Sequence, residues 1–169
     1  SARSRRRSER PRRSGRVGVV SDLAERIALQ RQVDAEARAA GYLIPYCPNI
    51  PFPKQRRFVL LPTREAMYGG AAGGGKSDAL LMAALLYVDR PAYSALILRR
   101  TYTDLALAGS IMDRAASWLR QTDATWNDRD KRWTFPSGAR LTFGYLETEA
   151  DRYRYQGAEF QFIAFDELT

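Results

Sequence analysis

A chain of 169 residues that is 45% hydrophobic and 27% charged has room for one folded domain with its own core. It holds no histidine and a single cysteine, Cys47, which excludes an internal disulfide framework, a cysteine-built zinc site and the commonest general base. The formal charge of +8 is a property of one end: residues 1–16, SARSRRRSERPRRSGR, carry eight arginines against one glutamate, and the rest is close to neutral.

In chain order, residues 1–16 read as a disordered arginine-rich tail, because like charges repel and nothing apolar can be buried. Residues 17–41 read as an N-terminal helical segment that stops at Gly41. The stretch 41–55, GYLIPYCPNIPFPKQ, carries four prolines and reads as an extended connector, with a short helix starting at Pro53 and running through Gln55 and Phe58. A β–α–β pattern follows. EAMYG (65–69) is a strand candidate, residues 76–89 a helix, and SALILRR (94–100) a buried parallel strand. Residues 102–121 put Leu105, Ala108, Ile111, Met112, Ala115, Trp118 and Leu119 on one helical stripe. Residues 131–147 read as two strands around Pro136-Ser137-Gly138, a hairpin signal. EFQFIAFDE (159–167) reads as a buried strand ending in two carboxylates. The alternation predicts an α/β layer fold with a mainly parallel sheet flanked by helices. The longest apolar run, Ala79 to Val88, is far short of the ~20 residues a membrane span needs.

Gly70-Ala71-Ala72-Gly73-Gly74-Gly75-Lys76-Ser77 fits G-x-x-x-x-G-K-[ST], the P-loop. Glycines let the backbone wrap so that successive N–H groups point at phosphate oxygens. The helix behind them offers its unpaired N–H groups and positive dipole end to the same anion. Lys76 then reaches the β- and γ-phosphates of ATP, and the Ser77 hydroxyl ligates Mg²⁺. Hydrolysis also needs a carboxylate for the metal and a group to orient water. Asp166 and Glu167 supply these at the C-terminal end of an apolar strand, the edge of an open α/β sheet where ligands sit. Asp166 holds Mg²⁺ and Glu167 polarises the attacking water. An acidic pair there, with a strand between the two motifs, marks the P-loop NTPases with an additional strand and a catalytic glutamate. Gln55, upstream of the loop, has the paired donor and acceptor to read an adenine edge. An arginine must also neutralise transition-state charge. Arg99, Arg100, Arg152 and Arg154 are candidates, with Arg154 favoured because it closely precedes the acidic strand.

Five phrases in order, PKQRRF, YGGAAGGGKSDALL, LILRRTYTDL, FPSGARLTFGYLE and RYQGAEFQFIAFDELT, resemble the large subunit of tailed-bacteriophage terminases over residues 50 to 169. The resemblance implies that residues 42–169 are the N-terminal portion of an ATPase domain. It implies a Walker A loop at Gly70–Ser77, a Walker B pair at Asp166 and Glu167, adenine sensing at Gln55, and an arginine that completes a neighbouring subunit's site, a role that suits Arg154. It further implies a homo-oligomeric ring, usually of five subunits, which works with a portal protein and a small terminase subunit. The ring drives double-stranded DNA into a procapsid in the cytoplasm of the bacterial host, and a C-terminal nuclease cuts that DNA. Some members carry an arginine inside the P-loop, whereas this loop has only alanine and glycine there. The coupling motif and the nuclease lie outside these 169 residues, so the sequence reads as a piece of a longer protein that does not package DNA by itself. Two alternatives share parts of the pattern. A helicase or other translocase would use the same glutamine, P-loop and acidic pair. A nucleic-acid-binding fragment without catalysis would act through the arginine tail by salt-sensitive phosphate contacts.

Overall fold

The computed structural model describes residues 44–70, 73 and 75–167, together with Ala28. The chain divides between Gly41 and Tyr42 into two compact units. The tail expected at 1–16 and the helix expected at 17–41 lie outside the described residues, apart from Ala28.

The second unit is an α/β structure. Its elements in order are α1 (Pro53–Val59), α2 (Lys76–Leu85), β1 (Ser94–Arg99), α3 (Tyr102–Ala106), α4 (Ile111–Leu119), β2 (Thr125–Asn127), β3 (Arg132–Thr134), β4 (Arg140–Tyr145), a 3₁₀ turn (Glu149–Tyr155) and β5 (Phe162–Phe165). The five strands form one sheet in the order β2-β3-β4-β1-β5. β1 pairs in parallel with β4 on one side and β5 on the other, while β2, β3 and β4 form an antiparallel meander. The sheet is therefore mixed, not mainly parallel. The antiparallel half arises because the 135–139 turn closes tightly, with Gly138 at φ 86 and its N–H donating to the Phe135 carbonyl at 2.8 Å. It gains β2 because Trp126 lies directly opposite Trp133, their ring centroids 5.2 Å apart.

Strand alternation sorts the side chains. Ala95 and Ile97 of β1, Leu141 and Phe143 of β4 and Ala164 of β5 face one way and join the core. Helix α2 buries Leu81, Met82 and Leu85 in the same cluster. Helix α4 adds Ile111, Ala115, Trp118 and Leu119, the i, i+4, i+7, i+8 stripe of an amphipathic helix. On the opposite face Leu96 and Leu98 are also buried, but Ile163 and Phe165 stand about half exposed. β5 is thus not buried on both faces. Its register against β1 sends alternate residues to a face that the described residues cover only in part.

Three further expectations are corrected. Residues 65–69 form no strand: among the described residues no neighbour completes a ladder there, and unpaired backbone does not make a strand. Helix α2 stops at Leu85, and residues 86–89 continue as turns. The long helix expected over 102–121 is two helices. Gly109 takes φ 76, and Ser110 starts α4 by accepting the Asp113 N–H at 3.3 Å, while its own hydroxyl donates to the Leu105 carbonyl at 2.6 Å. Asp113 returns the favour at the Gly109 N–H (2.9 Å), so a reciprocal cap outweighs the continuous apolar stripe.

Candidate functional site

The C-terminal ends of β1 and β5 and the N-terminus of α2 meet at one end of the sheet. Leu98 is in register with Phe165 across the parallel pair, so the next residues, Arg99 and Asp166, come side by side on the same face. The Asp166 N–H extends the ladder to the Leu98 carbonyl at 2.9 Å. Asp166 is buried, and its carboxylate is shared. Oδ1 accepts the Ser77 hydroxyl at 3.2 Å, and Oδ2 accepts Nε and Nη2 of Arg99, each at 2.9 Å. Arg99 Nη2 also reaches Glu167 Oε1 at 3.1 Å, and its Nη1 donates to the Asp104 carbonyl of α3 at 2.8 Å. Glu167 sits in the left-handed region at φ 59, a conformation that costs about 1–3 kcal/mol in a non-glycine residue.

The glycine loop runs into this cluster. Of the predicted loop residues, Gly70, Gly73, Gly75, Lys76 and Ser77 are described; Ala71, Ala72 and Gly74 lie outside. Gly73 and Gly75 adopt φ 78 and φ 69, the left-handed conformations for which glycine is the default residue. Lys76 opens α2, and its ammonium reaches back across the loop to the Gly70 carbonyl at 2.9 Å. Asp78, in the first turn of α2, is tied to Arg114 of α4 at 2.9 Å, which fixes the helix whose N-terminus carries the loop.

Gln55 is buried beneath the loop. Its Oε1 accepts the Phe52 N–H at 2.9 Å and its Nε2 donates to the Gly75 carbonyl at 3.0 Å. One amide therefore both caps α1 and props the end of the glycine loop. In this arrangement the side chain is a strut between two backbones, a role the sequence did not suggest.

The arginine candidates separate. Arg99 joins the carboxylates, and Arg100 is exposed. Arg152 pairs with Glu149 at 3.2 Å. Arg154 lies on the 3₁₀ turn, paired with Asp151 at 3.2 Å and stacked over the Tyr145 ring at 4.6 Å. Within this chain Arg99, not the favoured Arg154, stands with the acidic pair. The strand register that puts it there could not be read without knowing which strands are neighbours.

Two features escaped the sequence reading. Tyr155 lays its hydroxyl against the β4 backbone, accepting the Tyr145 N–H at 3.1 Å and donating to the Tyr145 carbonyl at 3.2 Å. It fits because residue 144 is glycine; a Cβ there would run into the Tyr155 hydroxyl. Asp151 caps the turn, accepting from the Thr148 N–H at 2.8 Å and the Glu147 N–H at 3.0 Å, and these bonds hold its carboxyl below the usual carboxylate range. The Thr148-x-x-Asp151 spacing was the available signal. At the other end of β1 and β5, a cleft of about 440 Å³ is lined by Tyr87, Arg90, Tyr93, Gln161 and Phe162 among others; it contains none of the predicted site residues.

Fold and cluster together define an α/β protein in which a glycine-rich loop and the helix behind it face a carboxylate pair at the C-terminal ends of parallel strands. Comparison with known families gives the next step. A family model described as terminase large subunit, T4likevirus-type, N-terminal, matches residues 67–169, and the chain belongs to that family, which places it in the machinery of phage genome packaging. No curated protein and no solved structure matches the chain.

Proposed function

We propose that this chain is the ATP-hydrolysing, N-terminal part of a packaging motor, a P-loop NTPase of the additional-strand, catalytic-glutamate class. The observation that carries the reading is the meeting of Ser77 and Asp166, 3.2 Å apart across 89 residues of sequence, at the mouth of the glycine loop. The donor set suits Mg²⁺: a hydroxyl and a carboxylate are hard oxygen ligands. Among the described residues no cluster of three or more His, Cys, Asp or Glu competes as a metal site. When bound, the ion supplies charge neutralisation at the phosphates.

Each residue then has a task. The loop backbone from Gly70 to Gly75, including Ala71, Ala72, Gly73 and Gly74, cradles the phosphates, and Lys76 places its ammonium at the β- and γ-positions. Ser77 and Asp166 hold the metal. Glu167 orients water for in-line attack. Gln55 acts on nucleotide binding by holding the loop's end, and any adenine contact adds to that. Arg154, exposed at the same end of β4, completes the site of a neighbouring subunit in a ring. Membership in the terminase family favours this reading over a helicase. It also points to double-stranded DNA, a portal protein and a small terminase subunit as partners, in the host cytoplasm at the procapsid portal. Among the described residues no helix is long and apolar enough to cross a membrane.

Titration of the chain with Mg·ATP tests the reading, with Lys76→Ala as the comparison. Loss of one charge at the phosphates weakens binding at least about tenfold, a change of ~1.4 kcal/mol. Equal affinity of the two proteins overturns the site.

A further inference from the structure

We propose that the cleft at the end of β1 and β5 opposite the glycine loop is a docking site for a protein segment that presents a large apolar side chain next to an aspartate or glutamate. The proposal stands apart from the nucleotide reading, because no residue of the cleft belongs to that site. One wall is the turn after α2. The Tyr93 N–H closes on the Arg90 carbonyl at 3.4 Å, with Pro91 and then Ala92, at φ 62, between them. Proline followed by a positive φ is a type II turn, which usually takes glycine at the place of Ala92. The buried Tyr93 hydroxyl donates to the Ala84 carbonyl at 3.0 Å, which fixes its ring, and the half-exposed Tyr87 ring meets it edge-on at 5.9 Å. The other wall is the lead into β5. Gln161 donates its backbone N–H to the Ser94 carbonyl at 2.9 Å, and its side-chain Oε1 accepts the Ser94 N–H at 2.8 Å. Phe162 follows and packs against the core.

The polar groups this cleft leaves for a ligand are donors. Oε1 of Gln161 is committed to Ser94, so the amide nitrogen is its open end. Arg90 meets only Asp89 among the described residues, at 4.0 Å between side chains 73% and 63% exposed, a contact too loose to occupy the guanidinium fork. A fork and an amide N–H beside apolar rings match a hydrogen-bond acceptor carried on an apolar body. Formal charges at this end of the sheet cancel: Arg90 and Arg140, the latter in register with Ser94 at the start of β4, stand against Asp89 and Glu159. The single charge of a carboxylate is answered by the fork, whereas the roughly −1.5 to −2 of a phosphate group is left unbalanced. Tyrosine, phenylalanine and arginine are the residues that anchor protein interfaces, and about 440 Å³ takes one large side chain with its neighbour.

The experiment titrates the full chain, labelled for NMR, with three blocked dipeptides. These are Ac-Glu-Phe-amide, its neutral isostere Ac-Gln-Phe-amide, and the same dipeptide with phosphoserine in place of glutamate. Backbone amide shifts read both the place of binding and the affinity. Shifts are expected at residues 87–93 and 160–162 and not at 75–77. The glutamyl peptide binds at least about threefold more tightly than either of the others. Arg90→Gln removes an exposed side chain from a turn closed by backbone bonds, so the fold stays intact. It brings the Glu-over-Gln preference below about 1.5-fold. Tyr87→Ala, at a half-exposed ring, weakens both of these peptides alike and leaves their ratio in place. Absence of binding, shifts centred on 75–77, or a preference that survives Arg90→Gln overturns the proposal. Equal affinity for the glutamyl and glutaminyl peptides reduces the cleft to an apolar notch, and tightest binding of the phosphoserine peptide makes it a phosphate site; either result overturns it as well.

Discussion

Replacing Gly75 with alanine isolates what holds the loop in shape. Gly75 combines a left-handed φ of 69 with a neighbour that leaves no room: a Cβ would lie 2.6 Å from Gln55 Nε2. The left-handed backbone costs a side-chain-bearing residue about 1–2 kcal/mol. Displacing the Gln55 amide forfeits its bonds to the Gly75 carbonyl and the Phe52 N–H, each worth ~0.5–1.5 kcal/mol. The sum is about 2–5 kcal/mol, which for a unit of this size lowers the unfolding midpoint by roughly 6–25 °C. Thermal unfolding followed by circular dichroism reads it, and Gln55→Ala supplies the internal control. With the amide gone, Gly75→Ala is left with the backbone part alone, ~1–2 kcal/mol. Equal cost of Gly75→Ala in both backgrounds would refute the strut and leave only a glycine preference.

Three further outcomes are expected. In the full-length protein Arg154→Ala leaves Mg·ATP affinity within about twofold but lowers ring-dependent hydrolysis steeply, since a trans arginine contributes ~10³–10⁵ in rate; hydrolysis measured in dilute and assembled protein checks it, and unchanged turnover removes Arg154 from the role. Asp151, held below the usual carboxylate range chiefly by the Thr148 N–H, stabilises the fold fully above its unfolded value of ~3.9 and loses that contribution as pH falls through its lower folded value. Denaturant melts of Asp151→Asn between pH 2 and about 6 should therefore show a shallower loss of stability with acid than the parent. Burial pushes the Cys47 thiol up to about 11, so iodoacetamide labels it more slowly than free cysteine at pH ~8, with a rate that climbs as pH rises further.

What could be read from the sequence was whatever a local pattern encodes. The start of α2 at Lys76, the apolar run of β1 and the 135–139 turn are each fixed within a dozen residues, and they stand where the pattern put them. The errors fall where a local rule met a second one. The stripe from Leu105 to Leu119 is helical throughout by periodicity, yet Gly109 and the Ser110–Asp113 cap divide it. Residues 65–69 have strand-like composition, but a strand also requires a neighbour that no composition announces. The site was legible in its two motif halves and illegible in what joins them. Arg99 was one candidate among four arginines until the register of β1 against β5 set it beside Asp166. The burial of Gln55 under Gly75 is likewise a tertiary fact that no local pattern encodes.

The register also explains why Arg99 and Arg154 stand in different surroundings. β1 is the central strand of the parallel trio, so the end of β1 is flanked by the ends of both β4 and β5. Arg99 faces the side shared with Asp166. Gly144, in register with Leu98, faces the other side, where its missing side chain admits the Tyr155 hydroxyl to the β4 backbone. That anchor fixes the 3₁₀ turn beyond β4, and the turn holds Arg154 against the Tyr145 ring, about half exposed and clasped by Asp151. One guanidinium is thus buried among the carboxylates of its own chain, and the other is presented outward on a stiff, capped turn. A buried cation balances the acidic pair within the chain. An outward cation on a rigid support is what a second subunit could use, because it meets a partner with little ordering still to be done.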